Sequence, residues 1–198
     1  MLRCLVLQER MRMPILSCEP DVYPDDLLCQ EMDSDVKWTW WAIYTRSRQE
    51  KELMRRLRAL GVAFYCPLLP GSRRSVSGRL RTSYLPMFGN YVFVRGDGDD
   101  RYRVLQTNLV SQTLDVPNGV ELVHDLRQIQ QLLQLGSPLR VINRLPVGAR
   151  VRIKHGPLCG MVGSVLQQHG ERHFLISVNF LQQGAVIQMQ DCDVEPVD

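Results

Sequence analysis

The sequence predicts an α+β fold: an N-terminal α/β sandwich followed by a small five-stranded β-barrel. Three observations predict it. From residue 38 to 136, aromatic and β-branched runs alternate with stretches of helical spacing. Residues 137–145, from Ser137-Pro138 to Leu145, interrupt that pattern and read as a linker. From 146 to 198, apolar residues recur with a period of two between glycines, as short strands of a small barrel do. A chain of 198 residues has room for two such domains.

Residues 1–37 read as an extension. Pro14, Pro20 and Pro24 fall among scattered acids with no periodic apolar face, so disorder or a loosely docked arm is expected. Trp38 to Tyr44 is aromatic and β-branched, hence a strand. Ser47 and Glu50 have the spacing of a capping box, Leu53, Leu57 and Leu60 follow at helical intervals, and Gly61 suits a left-handed stop. A helix over 47–60 follows. Val62 to Leu68 is a second strand, and the basic, turn-rich stretch Gly71 to Arg81 suits an exposed hairpin or loop. Met87 to Arg95 is a third strand dense in aromatics. Asp99 to Thr107 suits a short helix and Val110 to Val116 a further strand. Leu122, Leu126, Ile129 and Leu133 mark a last helix, ended by Gly136 and Pro138. In the second domain Ala149, Val151 and Ile153 alternate with Arg150, Arg152 and Lys154, and Phe174, Ile176, Val178 and Phe180 alternate again.

The net charge of +3 conceals a pattern. Residues 1–37 carry four basic and eight acidic side chains (−4), residues 46–103 thirteen and five (+8), and residues 115–198 seven and eight (−1). A basic middle between acidic flanks suits one face near a polyanion. The six cysteines, at 4, 18, 29, 66, 159 and 192, form no CxxC pair, which fits a reducing cytoplasm better than a disulfide framework or a zinc finger. No apolar run approaches the roughly 18 residues of a membrane span, and the short apolar patch at Met1 to Val6 lacks the features of a signal peptide.

Four stretches carry a resemblance: Trp40-Trp41-Ala42-Ile43-Tyr44-Thr45-Arg46, Arg48-Gln49-Glu50, Tyr65-Cys66-Pro67-Leu68, and Leu85-Pro86-Met87-Phe88-Gly89-Asn90-Tyr91-Val92-Phe93-Val94. Together they resemble the N-terminal (NGN) domain of the NusG/RfaH-type transcription factors. Asn90 stands where NusG itself has glycine; RfaH-type proteins carry asparagine there, which tilts the resemblance towards a specialised paralogue. Val151 to Val165, with Gly156, Gly160, Gly163 and Val165, resembles a KOW motif, whose domain is an SH3-like barrel.

The resemblance implies a non-enzymatic elongation or antitermination factor that works without cofactor or metal, as a monomer away from membranes. Its N-terminal domain would hold the β′ clamp helices of RNA polymerase in an apolar pocket, for which Tyr44, Phe88, Tyr91 and Phe93 are the candidates by position. Arg46, Arg48, Arg73, Arg74, Arg79 and Arg81 are candidates for the non-template DNA strand, since backbone charge dominates such contacts. The barrel would recruit either Rho or a small-subunit ribosomal protein. Arg101-Tyr102-Arg103-Val104 does not reproduce the polar gate-loop contact of RfaH.

Two rival readings fit parts of the sequence. A KOW-type rRNA-binding or translation-associated protein explains residues 146–197 and the positive charge, but not the N-terminal pattern. A metal protein or enzyme rests on His169 and His173, on nearby His155 and Cys159, or on Cys66 with a distant histidine. Gly170 interrupts the histidine pair, no fourth ligand has suitable spacing, and no phosphate-binding glycine motif is present.

Overall fold

A computed structural model describes residues 19–30, 38–74, 80–136, 139–142, 149–168, 171–189 and 194–197. In chain order the first part holds β1 (Val22–Tyr23), β2 (Thr39–Thr45), α1 (Glu50–Leu60), β3 (Ala63–Tyr65), β4 (Leu68–Arg74), β5 (Leu80–Pro86), β6 (Tyr91–Gly96), α2 (Gly98–Gln106), β7 (Val110–Asp115) and α3 (Gly119–Gln134). The second part holds β8 (Arg140–Ile142), β9 (Ala149–Ile153), β10 (Val162–Gln168), β11 (Glu171–Val178), β12 (Gln183–Gln188) and β13 (Val194–Pro196), with a 3-10 turn at Asn179–Leu181.

The first sheet is antiparallel in the order β1-β3-β6-β2-β7. Alternation along its strands makes two apolar faces. Trp41, Ile43, Phe64, Val92 and Val94 face α1, which contributes Leu53, Met54 and Leu57, and α2, which contributes Val104. Trp40, Ala42, Tyr65 and Phe93 form the opposite face with Leu122, Leu126, Ile129 and Leu132 of α3. Each such buried side chain contributes about 1.5–3 kcal/mol. β4 and β5 form a separate two-stranded ribbon, closed at its base by Met87 N–H donating to the Pro67 carbonyl at 2.7 Å.

Several expectations change. The extension carries structure over 19–30. β1 pairs with β3, placing Val22 opposite Tyr65, and the turn after it buries Leu27 and Leu28. Residues 1–18 and 31–37 lie outside the described residues. The capping box at Ser47 is absent, because Gln49 takes the N-cap position without a side-chain bond and the Glu50 carboxylate accepts from Asn90 N–H instead. A capping box forms at α2, where Asp97 and Asp100 exchange bonds with each other's backbone. Gly96 makes room for it, since a Cβ there would stand 2.6 Å from the Asp100 side chain. The stretch predicted as one strand from Met87 is a turn to Asn90 followed by β6.

The second sheet has six strands, not five, in the order β13-β9-β10-β11-β12-β8. The extra strand, β8, comes from the stretch predicted as linker and pairs with β12. Among the described residues β8 and β13 are edges, so the pairing does not close the sheet into the expected barrel. α3 joins the two sheets: Gln128 Oε1 accepts from Val162 N–H at 2.7 Å, Asp125 Oδ2 from Asn179 N–H at 3.3 Å, and Glu121 Oε1 from Asn179 Nδ2 at 2.9 Å. One apolar cluster therefore runs from the first sheet through α3 to Phe174 and Ile176 of β11.

Candidate functional site

The end of the first sheet where β2 finishes and β6 begins gathers most of the candidate residues. Asn90 makes the turn there in the left-handed region, at φ 66°, which asparagine tolerates better than other side-chain-bearing residues. Its backbone is held on both sides: Asn90 N–H donates to Glu50 Oε1 at 2.7 Å, and Thr45 N–H donates to the Asn90 carbonyl at 2.8 Å. Its side-chain Nδ2 donates to the Tyr44 hydroxyl at 3.3 Å.

Tyr44 and Tyr91 are cross-strand partners in β2 and β6. Their rings meet edge to face, with centroids 5.1 Å apart, and both are half-buried. Burial raises the Tyr91 phenol above its ordinary pKa, and neighbouring Tyr44 adds to the shift. Phe88 and Phe93 also pack edge to face, centroids 6.1 Å apart, but they are 1% and 0% exposed. In this conformation they are core. They belong to the core cluster against which Tyr91 packs, and of the four rings only the tyrosines offer surface.

The basic residues divide. Arg46 and Arg48 are exposed in the loop that follows Tyr44, with Arg48 at φ 60°. Arg73 is the register partner of Arg81 across β4–β5, and Arg74 is the partner of Leu80. Arg79 lies outside the described residues. Since Tyr65 pairs with Phe93, the ribbon leaves the sheet at the same end as the tyrosine pair.

In the second sheet Gly156 and Gly160 have φ of 88° and 85°, as the turn between β9 and β10 requires. Gly163 lets β10 lie close against Phe174 and Leu175, and Val165 is half-buried against the core. Arg152 and Lys154 both pair with Glu195, at 3.5 and 3.8 Å.

The sequence did not single out the seam beneath α3. A polar cleft of about 150 Å³ lies there, lined among others by His124, Asp125, Gln128, Arg150, Ser164 and Asn179. Burial raises the Asp125 carboxyl to about 6, with Glu121 adding to the rise and Asn179 N–H and Arg150 opposing it. The signal was present: Asp125 and Gln128 interrupt the apolar stripe of α3 between Leu122 and Leu132.

The rival chemistries find little support. Cys66 is fully buried, its thiol donating to the Tyr91 carbonyl at 3.6 Å, and burial pushes its pKa far up, away from a nucleophile's range. Among the described residues no three His, Cys, Asp or Glu side chains gather as metal ligands do, and His169 lies outside them.

No curated protein matches the sequence. Among solved structures, a crystal structure of an MjSpt4:Spt5 complex in conformation B matches at 16% identity, covering 80% of this chain and 99% of that one, with a TM-score of 0.23. The family model of NusG, described as transcription termination factor nusG, matches residues 38–134. That segment runs from the residue before β2 to the end of α3 and contains the tyrosine pair, so the similarity to NusG spans the first unit of this chain.

Proposed function

We propose that the chain is a transcription elongation factor that binds RNA polymerase through the Tyr44–Tyr91 end of its first sheet and catalyses nothing. The observation that carries this reading is the tyrosine pair itself. Two large rings stand half-open against each other, Tyr91 packed on the core that holds Phe88 and Phe93, in a segment similar to NusG. Tyrosines bury much area for few frozen torsions, and such residues dominate interface energetics. The partner is the pair of β′ clamp helices. Binding the closed clamp more tightly than the open one shifts the population towards closed and suppresses pausing or termination.

Around this contact Arg46, Arg48 and the β4–β5 ribbon suit the non-template strand, whose phosphates attract arginine. The second sheet recruits Rho or a small-subunit ribosomal protein, and Asn90 favours a specialised RfaH-like paralogue. The protein acts as a cytoplasmic monomer. The rRNA-binding alternative is disfavoured by Glu195, which partly neutralises Arg152 and Lys154 on the KOW-like strands.

The test is binding of the full chain to a clamp-helix fragment, beside a Tyr44→Ala, Tyr91→Ala variant. Two lost hot-spot rings weaken binding by about 2–4 kcal/mol, roughly 30-fold or more. Equal binding by wild type and variant would move the contact elsewhere, and binding of structured RNA alone would favour the ribosomal reading.

A further inference from the structure

Residues 19–30 precede the segment similar to NusG, yet they are built into it. Glu19 accepts two bonds from Arg55, at 2.7 and 3.0 Å. The Asp21 carbonyl accepts from Cys66 N–H at 2.7 Å, extending the pairing of β1 with β3. Tyr23 stacks on Phe64 and lies under Arg58, whose guanidinium is 5.6 Å from the ring. The chain then crosses onto the face shared with α3. There Leu27 and Leu28 are each 1% exposed, Arg127 of α3 donates to the Leu28 and Gln30 carbonyls, and Arg95 of β6 donates to the Gln30 side chain.

This cover fits its apolar neighbours well and its polar ones poorly. Trp40 Nε1, Arg95 Nε and the Tyr65 hydroxyl are buried without a hydrogen-bond partner. All three belong to one region of that face. Arg95 is the register partner of both Trp40 and Ala63, and Tyr65, one row along, pairs with Val22 of the arm. A buried polar group left unpaired loses its hydrogen bond to water and gains none in return. The ion pair of Glu19 with Arg55 is largely exposed, and such pairs add little. The arm thus excludes water while leaving three donors for another ligand to satisfy.

We propose that residues 19–30 are a displaceable cover over an extension of the partner-binding face, removed when a helical protein segment bearing oxygen acceptors takes their place. The inference rests on the polymerase reading above, because the covered rows continue through Phe93 to the Tyr44–Tyr91 pair. Displacement uncovers Trp40, Arg95 and Tyr65 beside that pair and enlarges the contact. A closed cover lowers the apparent affinity by the fraction of molecules that hold it open.

Hydrogen exchange of the full wild-type chain, with and without the clamp-helix fragment, tests this directly. The amides of Leu27 and Cys29, which donate to the Pro24 and Asp26 carbonyls, report on the arm. A Leu27→Ser, Leu28→Ser variant and a milder Arg127→Ala variant are titrated with the same fragment. The expected result is that the fragment binds, the arm amides lose protection, and both variants bind at least about threefold more tightly than wild type. Binding only by the variants also supports the cover. Binding by wild type with the arm amides still protected overturns the cover and leaves the polymerase reading standing. No binding by any of the three proteins overturns both.

Discussion

At Gly163 the β10 backbone runs so close to β11 that an added Cβ would stand 2.3 Å from the Leu175 carbonyl oxygen and 2.7 Å from the Phe174 ring. The obstructing oxygen is backbone inside a paired sheet and cannot swing aside. Gly163→Ala is therefore expected to destabilise the second sheet by about 1–3 kcal/mol, as overpacking does, seen as a lower midpoint in urea unfolding. A midpoint equal to wild type would show that the strands separate freely. Residue identity made this position legible, because a glycine in a strand signals close approach. Identity did not separate Phe88 from Tyr91, which sit three residues apart in one aromatic run. The turn at Asn90 sends the first into the core and the second to the rim, and only the path of the chain determines that.

At the helix ends, local chemistry decides the outcome in one place and yields to tertiary contact in another. Gly61 ends α1 in the left-handed region, at φ 71°, with Val62 N–H returning to the Leu57 carbonyl at 2.9 Å. Ser47 has the spacing of a cap, but Glu50 is drawn off by Asn90, forty residues away, and tertiary contact overrides the local signal. The true box, Asp97 with Asp100, uses two aspartates where a serine or threonine and a glutamate are usual. Asp97→Ala removes both bonds to the first turn of α2 and is expected to cost about 0.5–2 kcal/mol. Thermal unfolding of this variant beside Asp100→Asn measures it, and an unchanged midpoint in Asp97→Ala would show the cap to be idle. β1 and β8 escaped prediction for another reason. Two or three residues cannot display a period, and each forms only because a longer strand offers an edge.

Taken whole, the molecule is joined at α3, which fills one face of the first sheet and meets β11 on its other side. Asp125 sits at that junction with Glu121, His124 and Arg150 around it. Its carboxyl is raised from the usual 3.8 to about 6, so the joined state binds a proton more tightly than the separated state. The resulting stabilisation is complete below the ordinary carboxylate pKa and is lost as pH rises through about 6. Protection factors for Val162 and Asn179 amides, corrected for intrinsic exchange, should thus increase from pH 7.5 to 5.5. Asp125→Asn should flatten the trend, and a trend of opposite sign would mean that the junction favours the carboxylate. The β4–β5 ribbon gives the same body a sense of distance. Among the described residues its strands pair only with each other, and seven residues at about 3.3 Å each give roughly 23 Å of reach. Whatever grips the tyrosine rings has a calliper jaw set beside it, able to touch a second surface about two nanometres away without either domain moving.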